Sequence, residues 1–321
     1  MAVYTDVSDE ELQAFLSDYD LGELVAFKGI AEGVENSNFL LETERGPFIL
    51  TLYEKRVNPA DLPFFLNLME HLAECGINCP LPVHDRDGRV LKQLAGRPAA
   101  IVTFLRGISV RRPKVAHCAL IGRSLAELHK AAEGFGMHRV NTLSLQGWRA
   151  LFDTFADKAD LIAAGFSAEL ADELGVLEDA WPTNLPAGII HGDLFPDNVF
   201  FLDARVSGII DFYFACRDTL AYDLAICLNA WCFEHDVSFN VTKGRALIDG
   251  YSAVRPLSAA ELNALPLLSR GAALRFLLTR AYDWLHTPQN ALVRPKDPHE
   301  YRRKLRFHQS VRRAEDYGIA T

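Results

Sequence analysis

Apolar residues recur with two different spacings along this chain, and the change between them divides the chain in two. In the first hundred residues, short β-prone runs at 24–27, 38–42 and 48–53 are separated by turn residues, which predicts an antiparallel meander. A helix is predicted before the meander, because Ser8 followed by Glu11 forms a capping box ahead of apolar residues at helical spacing. The N-terminal part is therefore predicted to be mainly β.

One more helix and two more strands complete this part. The helix is predicted to begin at Pro59 and to end before Gly76, and the strands are expected near 90–91 and 99–104. Beyond residue 106 the apolar positions follow helical spacing, apart from a β-prone region near 189–212. Helices are predicted in the second part near residues 115–133, 147–164, 168–181, 219–235, 242–253, 258–286 and 297–316.

These patterns predict an α+β fold with two lobes. The first, over residues 1–106, is a small antiparallel β-rich N-terminal lobe with its linker, and the second, over 107–321, is larger and mainly helical. With 321 residues and 49% hydrophobic content, the chain can bury a core in each lobe. A ligand site is expected between the lobes, because such sites occur preferentially at domain interfaces.

Charge and composition exclude several classes of function. The formal net charge of −9 and the pI near 5.6 argue against binding of nucleic acid or of anionic membranes, since either needs a broad basic surface. No segment resembles a signal peptide or a membrane-spanning helix, so we expect a cytoplasmic protein. The six cysteines are expected to be reduced and buried, the alternative being a disulfide between Cys75 and Cys79 or between Cys227 and Cys232.

The candidate chemistry lies in the β-prone region of the second lobe. His-Gly-Asp-Leu-Phe-Pro-Asp-Asn occupies residues 191–198, and Asp211 follows thirteen residues later. Phosphoryl transfer needs one carboxylate beside the acceptor hydroxyl, with an amide oxygen and a second carboxylate on metal ions. We therefore predict Asp193 as the catalytic residue, and Asn198 and Asp211 as ligands of Mg²⁺. The alternative is a hairpin in which these residues only make turns.

Two other residues are predicted to support the 191–198 loop. His191 is expected to pack and hydrogen-bond beneath the loop, as the histidine of the protein kinase catalytic loop does. Asp223 opens an apolar helix, where its carboxylate would either cap backbone N–H groups or bond to the loop. Both are predicted to be structural, the alternatives being a direct catalytic role for His191 and a substrate contact for Asp223.

The 191–198 loop, the segment 121–129 and Tyr-Asp-Leu-Ala at 222–225 together resemble the aminoglycoside phosphotransferase and choline kinase superfamily, which has a protein-kinase-like fold. Longer stretches at 33–55 and 221–232 are similar to the bacterial homoserine kinases of that fold. The resemblance runs through most of the chain. It implies that ATP and Mg²⁺ are used to phosphorylate the side-chain hydroxyl of L-homoserine, in threonine biosynthesis.

Two alternatives are open. One is a kinase of the same fold acting on another small alcohol, such as an aminoglycoside, choline or methylthioribose. The other is a nucleotide-binding regulator without turnover, suggested because Thr51 stands where protein kinases have the strand lysine that holds the phosphates. Lys55 or Arg56, paired with Glu70, is the expected substitute for that lysine. The predicted nucleotide-binding residues are Gly33, Asn36, Ser37, Asn38, Thr51, Lys55, Phe104 and Leu105.

A small zwitterionic acceptor needs a cation for its carboxylate and oxygen atoms for its ammonium group. Arg275, Arg280 and Asp283 share one predicted helix and are candidates, the alternative being ion pairs with no part in binding. Aromatic residues would form the pocket walls unless they pack in the core. The predicted acceptor-site residues are Phe195, Tyr213, Trp231, Arg280 and Asp283. We expect a monomer or a homodimer.

Overall fold

The computed structural model describes residues 5–30, 36–54, 57–288 and 294–319. The N-terminal elements are α1 (Asp9–Leu16), β1 (Leu24–Gly29), β2 (Ser37–Thr43), β3 (Gly46–Leu52), α2 (Leu62–Glu74), β4 (Lys92–Leu94) and β5 (Arg97–Thr103). The five strands form one antiparallel sheet in the order β1-β2-β3-β5-β4. The predicted meander and the capping box of Ser8 and Glu11 are both confirmed.

Helices cover both faces of this sheet. Successive side chains of a strand point to opposite faces, so one strand can contact a helix on each side. In β5, Ile101 packs into a cluster with Leu12 of α1, whereas Ala100 and Val102 join the main core together with Phe65 of α2. The sheet therefore lies between the two helices, and α2 connects it to the rest of the molecule.

The C-terminal part is mainly helical. Its elements are α3 (Val115–Ala131), α4 (Leu145–Asp153), α5 (Phe166–Ala180), β6 (Ala187–Ile190), β7 (Val199–Leu202), β8 (Arg205–Ile209), β9 (Cys216–Thr219), α6 (Leu220–Trp231), α7 (Val241–Ser252), α8 (Ala259–His286) and α9 (Pro298–Ser310). β7 pairs with β8 and β6 with β9, both antiparallel. All but one of the α6 residues are buried, so α6 is a central helix on which the two strand pairs and α8 are built.

Three predicted helices end earlier than expected. The helix predicted over 147–164 ends at Asp153, where the Thr154 hydroxyl donates to the Leu151 carbonyl at 2.6 Å and competes with continued helix. The helix predicted to reach 235 ends at Trp231, and the one predicted to reach 316 ends at Ser310. Helix propensity alone did not indicate these ends, because it does not show where a side chain will bond to a backbone carbonyl.

All six cysteines are free thiols, and five of them are buried as predicted. Cys75 is the exception, since it lies exposed at the end of α2. In the described part of the chain, no helix combines the length and the apolar character needed to cross a membrane.

Candidate functional site

The residues predicted to carry the chemistry lie at the ends of β6 and of the β7–β8 hairpin. Asp193 follows β6, Asn198 immediately precedes β7, and Asp211 comes two residues after β8. The hairpin register continues beyond the strands, because the Ile210 N–H donates to the Asn198 carbonyl at 3.0 Å. Asn198 and Asp211 therefore lie next to each other at the open end of the hairpin, as the sequence predicted.

A bond within the loop sets the orientation of Asn198. Its Nδ2 donates to the Asp193 carbonyl at 2.9 Å and to Asp193 Oδ2 at 3.3 Å. The other end of the amide, Oδ1, consequently points away from Asp193 and is the acceptor atom. Asp211 adopts a left-handed backbone conformation with φ of 66°, which aspartate tolerates better than most residues.

A fully buried carboxylate holds the backbone of the 191–198 loop. Asp223, in the first turn of α6, accepts hydrogen bonds from the N–H groups of His191 (2.7 Å) and Gly192 (3.0 Å). His129 Nε2 donates a third at 3.1 Å. Burial would raise the pKa of Asp223, but the bonds from His129 and from the loop N–H groups hold it below its ordinary value. Of the two predicted roles for Asp223, the structure shows the bond to the loop.

His191 is fully buried, and its ring nitrogens have fixed roles. Nδ1 accepts from the Asp193 N–H at 3.2 Å, and Nε2 lies 3.0 Å from the Ile210 carbonyl, which can only accept. Nε2 therefore carries the proton, and burial lowers the pKa of the ring so that it stays neutral. The ring joins the 191–198 loop to the strand end that leads to Asp211.

Several predicted nucleotide-side residues make contacts within the N-terminal sheet. Thr51 Oγ1 donates to Asn38 Oδ1 at 2.8 Å, between neighbouring strands. Glu70, predicted to pair with Lys55 or Arg56, accepts from His84 Nε2 at 2.6 Å. The predicted residues outside the described ranges are Gly33, Lys55 and Arg56.

Asn36 and Ser37 are also engaged inside the protein. Ser37 Oγ donates to Glu54 Oε1 at 2.7 Å, and Asn36 Oδ1 accepts from the Glu54 N–H at 3.3 Å. Arg97 pairs with the same glutamate at 3.1 Å. Both side chains are buried, and these contacts hold them inside the protein.

Phe104 and Leu105 lie in the connection between β5 and α3, at the predicted junction. Phe104 is exposed, whereas Leu105 packs against Gly208 of β8. A few residues later, Ile108 and Phe201 exchange backbone hydrogen bonds of 3.1 and 3.0 Å. The connection is thus hydrogen-bonded to the same hairpin that carries Asn198 and Asp211.

A pair of half-buried aromatic residues lies at the 191–198 loop. Phe195 packs edge-on against Phe276 of α8 at 4.9 Å between ring centroids, and Lys296 Nζ lies 5.8 Å from the Phe195 ring. Sequence reasoning missed Phe276 and Lys296, because only tertiary packing brings Phe276 of α8 and Lys296, which precedes α9, to the loop.

Arg280 and Asp283 lie further along α8. The Arg280 guanidinium bonds to Glu300 Oε2 at 2.6 Å and stacks over Tyr301 at 4.4 Å. Burial would raise the pKa of Glu300, but Lys304 and Arg280 together lower it to about 2. Asp283 is half-buried, one turn beyond Arg280.

Two predicted pocket walls lie elsewhere. Trp231 is fully buried beneath the loop and donates Nε1 to the Leu194 carbonyl at 2.7 Å. Tyr213 packs edge-on against Phe65 of α2, and its hydroxyl lies 3.3 Å from that of Tyr53. Tyr213 therefore lies between α2 and the strand end that leads to Asp211, whereas Trp231 has no surface from which to contact a ligand.

Comparison with known proteins agrees with this geometry. The model of the phosphotransferase enzyme family matches residues 26–257. A homoserine kinase of Xanthobacter autotrophicus is 66% identical over the full length of both chains, and one of Rhizobium etli is 58% identical over the same extent.

Solved structures share the fold at low sequence identity. Amicoumacin kinase hAmiN, in complex with AMP-PNP, Ca²⁺ and Ami, has a TM-score of 0.69 at 13% identity, over 94% of this chain and 92% of that one. A choline kinase of Cryptosporidium parvum also has a TM-score of 0.69 at 13% identity, over 94% of each chain. With most of its length matched by the family model, the chain belongs to the phosphotransferase enzyme family.

Proposed function

We propose that this chain transfers the γ-phosphoryl group of ATP to the side-chain hydroxyl of L-homoserine and so forms O-phospho-L-homoserine. The observation that carries the proposal is the identity of 58–66% to homoserine kinases along essentially the whole chain. The arrangement of Asp193, Asn198 and Asp211 supports it, because these are the residue types that phosphoryl transfer requires.

Asp193 is the proposed base. As the homoserine oxygen bonds to the γ-phosphorus, the bond from that phosphorus to the β–γ bridging oxygen breaks and ADP leaves. The hydroxyl proton passes to the Asp193 carboxylate. Because the transition state is loose, the main task of Asp193 is to orient the hydroxyl in line with the leaving oxygen.

Asn198 and Asp211 are the proposed ligands of Mg²⁺. Within the described ranges, no group of three or more His, Cys, Asp and Glu side chains forms a metal site. One amide oxygen and one carboxylate fit Mg²⁺, which commonly takes one or two carboxylates and completes its shell with phosphate and water. When bound, the ion neutralises charge on the β- and γ-phosphates.

Arg280 is the proposed partner of the homoserine carboxylate, with Asp283 facing the ammonium group. Arg280 lies on the same helix as Phe276, whose contact with Phe195 brings α8 to the loop. A lost charge-assisted hydrogen bond costs about 1.5–3 kcal/mol. We therefore expect R280M to raise KM for homoserine about 10- to 100-fold with little change in KM for ATP.

Arg302 provides a matched control for that variant. It also pairs with a glutamate, Glu169, and stacks over an aromatic ring, Phe166 at 5.1 Å, but it lies on α9 against α5. R302M should leave both KM values unchanged. Equal KM values for homoserine in R280M and R302M would show that Arg280 does not bind the acceptor.

An ADP-release assay with a panel of acceptors tests the proposed function. Homoserine, an aminoglycoside, choline and methylthioribose are supplied in turn with ATP and Mg²⁺, and the phosphorylated product is identified by mass. We expect release of ADP to depend on homoserine. Turnover with a different member of the panel and not with homoserine would identify that compound as the acceptor. Tight ATP binding without any product would favour a nucleotide-binding regulator.

A further inference from the structure

Arg275, on α8, is a buried cation beneath the 191–198 loop. Its residue surface is 3% exposed, and within the described ranges no carboxylate lies within 4.0 Å of its guanidinium. Arg270, on the same helix, instead makes two bonds of 2.9 and 2.6 Å to Glu173. A guanidinium that loses its water without gaining a carboxylate is unusual, because burial of a charge is costly.

The bond that Arg275 does make is to the loop backbone. Its Nη1 donates to the Gly192 carbonyl at 2.5 Å. The peptide group between Gly192 and Asp193 is thereby held at both ends, since its N–H donates to His191 Nδ1. Asp223 takes the two preceding N–H groups. A buried anion and a buried cation thus fix successive peptide groups immediately before the proposed base.

The backbone at this point needs such restraint. Gly192 has φ of 75°, and a Cβ there would lie 2.9 Å from the Phe214 carbonyl, so the position requires glycine. Because glycine has no Cβ, the peptide groups on either side of it rotate more freely than those beside any other residue. Rotation of the peptide between Gly192 and Asp193 would swing the Asp193 carboxylate away from the acceptor.

Aromatic rings enclose the Arg275 guanidinium. Its central carbon lies 5.5 Å from the ring centroid of Phe214 and 4.7 Å from that of Phe276. These rings partly compensate the charge and exclude water, which strengthens the bond to the Gly192 carbonyl. Phe276 also contacts Phe195, so the same packing that holds Arg275 forms one side of the acceptor region.

We propose that Arg275 is a positioning residue for phosphoryl transfer: its bond to the Gly192 carbonyl fixes the direction of the Asp193 carboxylate. The inference rests on the proposed function for the role of Asp193. It assigns Arg275 no contact with either substrate, so the effect of its loss should fall on turnover.

Three substitutions separate the bond from the charge. R275M removes both, R275Q keeps an N–H donor without charge, and R275K keeps a donor and the charge. A misplacement of about 1 Å costs roughly 100-fold in rate, so we expect kcat of R275M near one hundredth of wild type, with KM for ATP and homoserine within about threefold. R275K should recover at least tenfold over R275M, and R275Q should lie between them.

R270M is the matched control, because it removes an arginine from the same helix together with its bidentate bond to the buried Glu173. It should lower the melting temperature and leave kcat unchanged well below that temperature. Values of kcat for R275M and R270M that agree within threefold would overturn the proposal. If R275M does not fold, equal kcat values for R275K and R275Q would overturn it as well.

A crystal structure of R275M, or of R275Q if R275M does not fold, gives a readout that does not depend on the acceptor. We expect the peptide between Gly192 and Asp193 to rotate and the carboxylate to move by about 1 Å or more. An unchanged peptide would refute the role of Arg275 even if homoserine is phosphorylated. Wild-type protein that phosphorylates no acceptor, with a rotated peptide in the variant, would refute the proposed function instead.

Discussion

Replacement of Asp223 by asparagine tests how strongly the buried carboxylate holds the 191–198 loop. Asp223 Oδ2 accepts from the His191 N–H and from His129, and Oδ1 accepts from the Gly192 N–H. Asparagine has one acceptor oxygen, so its NH₂ group must face one of these donors. The Gly192 N–H loses its partner if the oxygen stays with the other two.

The cost follows from these three bonds. Loss of one charge-assisted hydrogen bond costs about 1.5–3 kcal/mol, and two more change from charged to neutral acceptors, at about 1 kcal/mol each. The sum, about 3.5–5 kcal/mol, leaves a folded protein when total stability lies above the lower end of the usual 5–15 kcal/mol. Release of the Gly192 peptide should also misplace Asp193 and lower kcat about 100-fold, with KM for ATP nearly unchanged.

Urea unfolding followed by circular dichroism measures the first effect, and the ADP-release assay measures the second. D85N is the matched control: Asp85 is also buried and accepts from two backbone N–H groups, of Asp87 and Arg89, and from the Arg89 side chain, but it lies in the N-terminal part. D85N should shift the unfolding midpoint and keep kcat. A folded D223N with kcat within threefold of D85N would refute the reasoning.

Two further predictions concern the metal and pH. D211N should require at least tenfold more Mg²⁺ for half-maximal turnover, because a neutral amide replaces a charged oxygen ligand. A Mg²⁺ titration of D211N that coincides with that of wild type would exclude Asp211 as a ligand. Burial lowers the pKa of His308 to about 3 in the folded protein, against about 6.5 in the unfolded chain. Between these pH values only the unfolded chain binds a proton at this residue, so the stability of the fold decreases as the pH falls. From pH 6.5 to 5 the loss is about 1.7 kcal/mol, and H308Q should lack this part of the pH dependence. Equal slopes of unfolding free energy against pH in both proteins would contradict a neutral buried His308.

The parts of the structure that the sequence predicted correctly depend on contacts between residues close along the chain. Asn198 and Asp211 meet because one short hairpin joins them, and Asp193 lies only five residues before Asn198. The antiparallel meander similarly follows from runs separated by tight turns. Local spacing is sufficient for such features, because few alternative arrangements satisfy both the turns and the buried face.

The features that the sequence did not predict depend on distant packing. Arg275 reaches the Gly192 carbonyl across 83 residues, and Trp231 lies under Leu194 rather than in a pocket wall. Tyr213 contacts the sheet through Tyr53, again far away in sequence. Neither charge nor aromatic character indicates which of several core positions such a side chain occupies, since all of them satisfy the same apolar periodicity.

Phosphorus NMR of the reaction products tests the central claim most directly, namely that the loop of Asp193 transfers phosphate from ATP to homoserine. With wild-type protein, ATP and Mg²⁺, the account predicts a phosphomonoester signal that requires homoserine, together with ADP. D193N should bind ATP as wild type does and form this product at least 100-fold more slowly, the usual contribution of a positioned base. Product formation by D193N at the wild-type rate, or release of inorganic phosphate alone, would contradict the account.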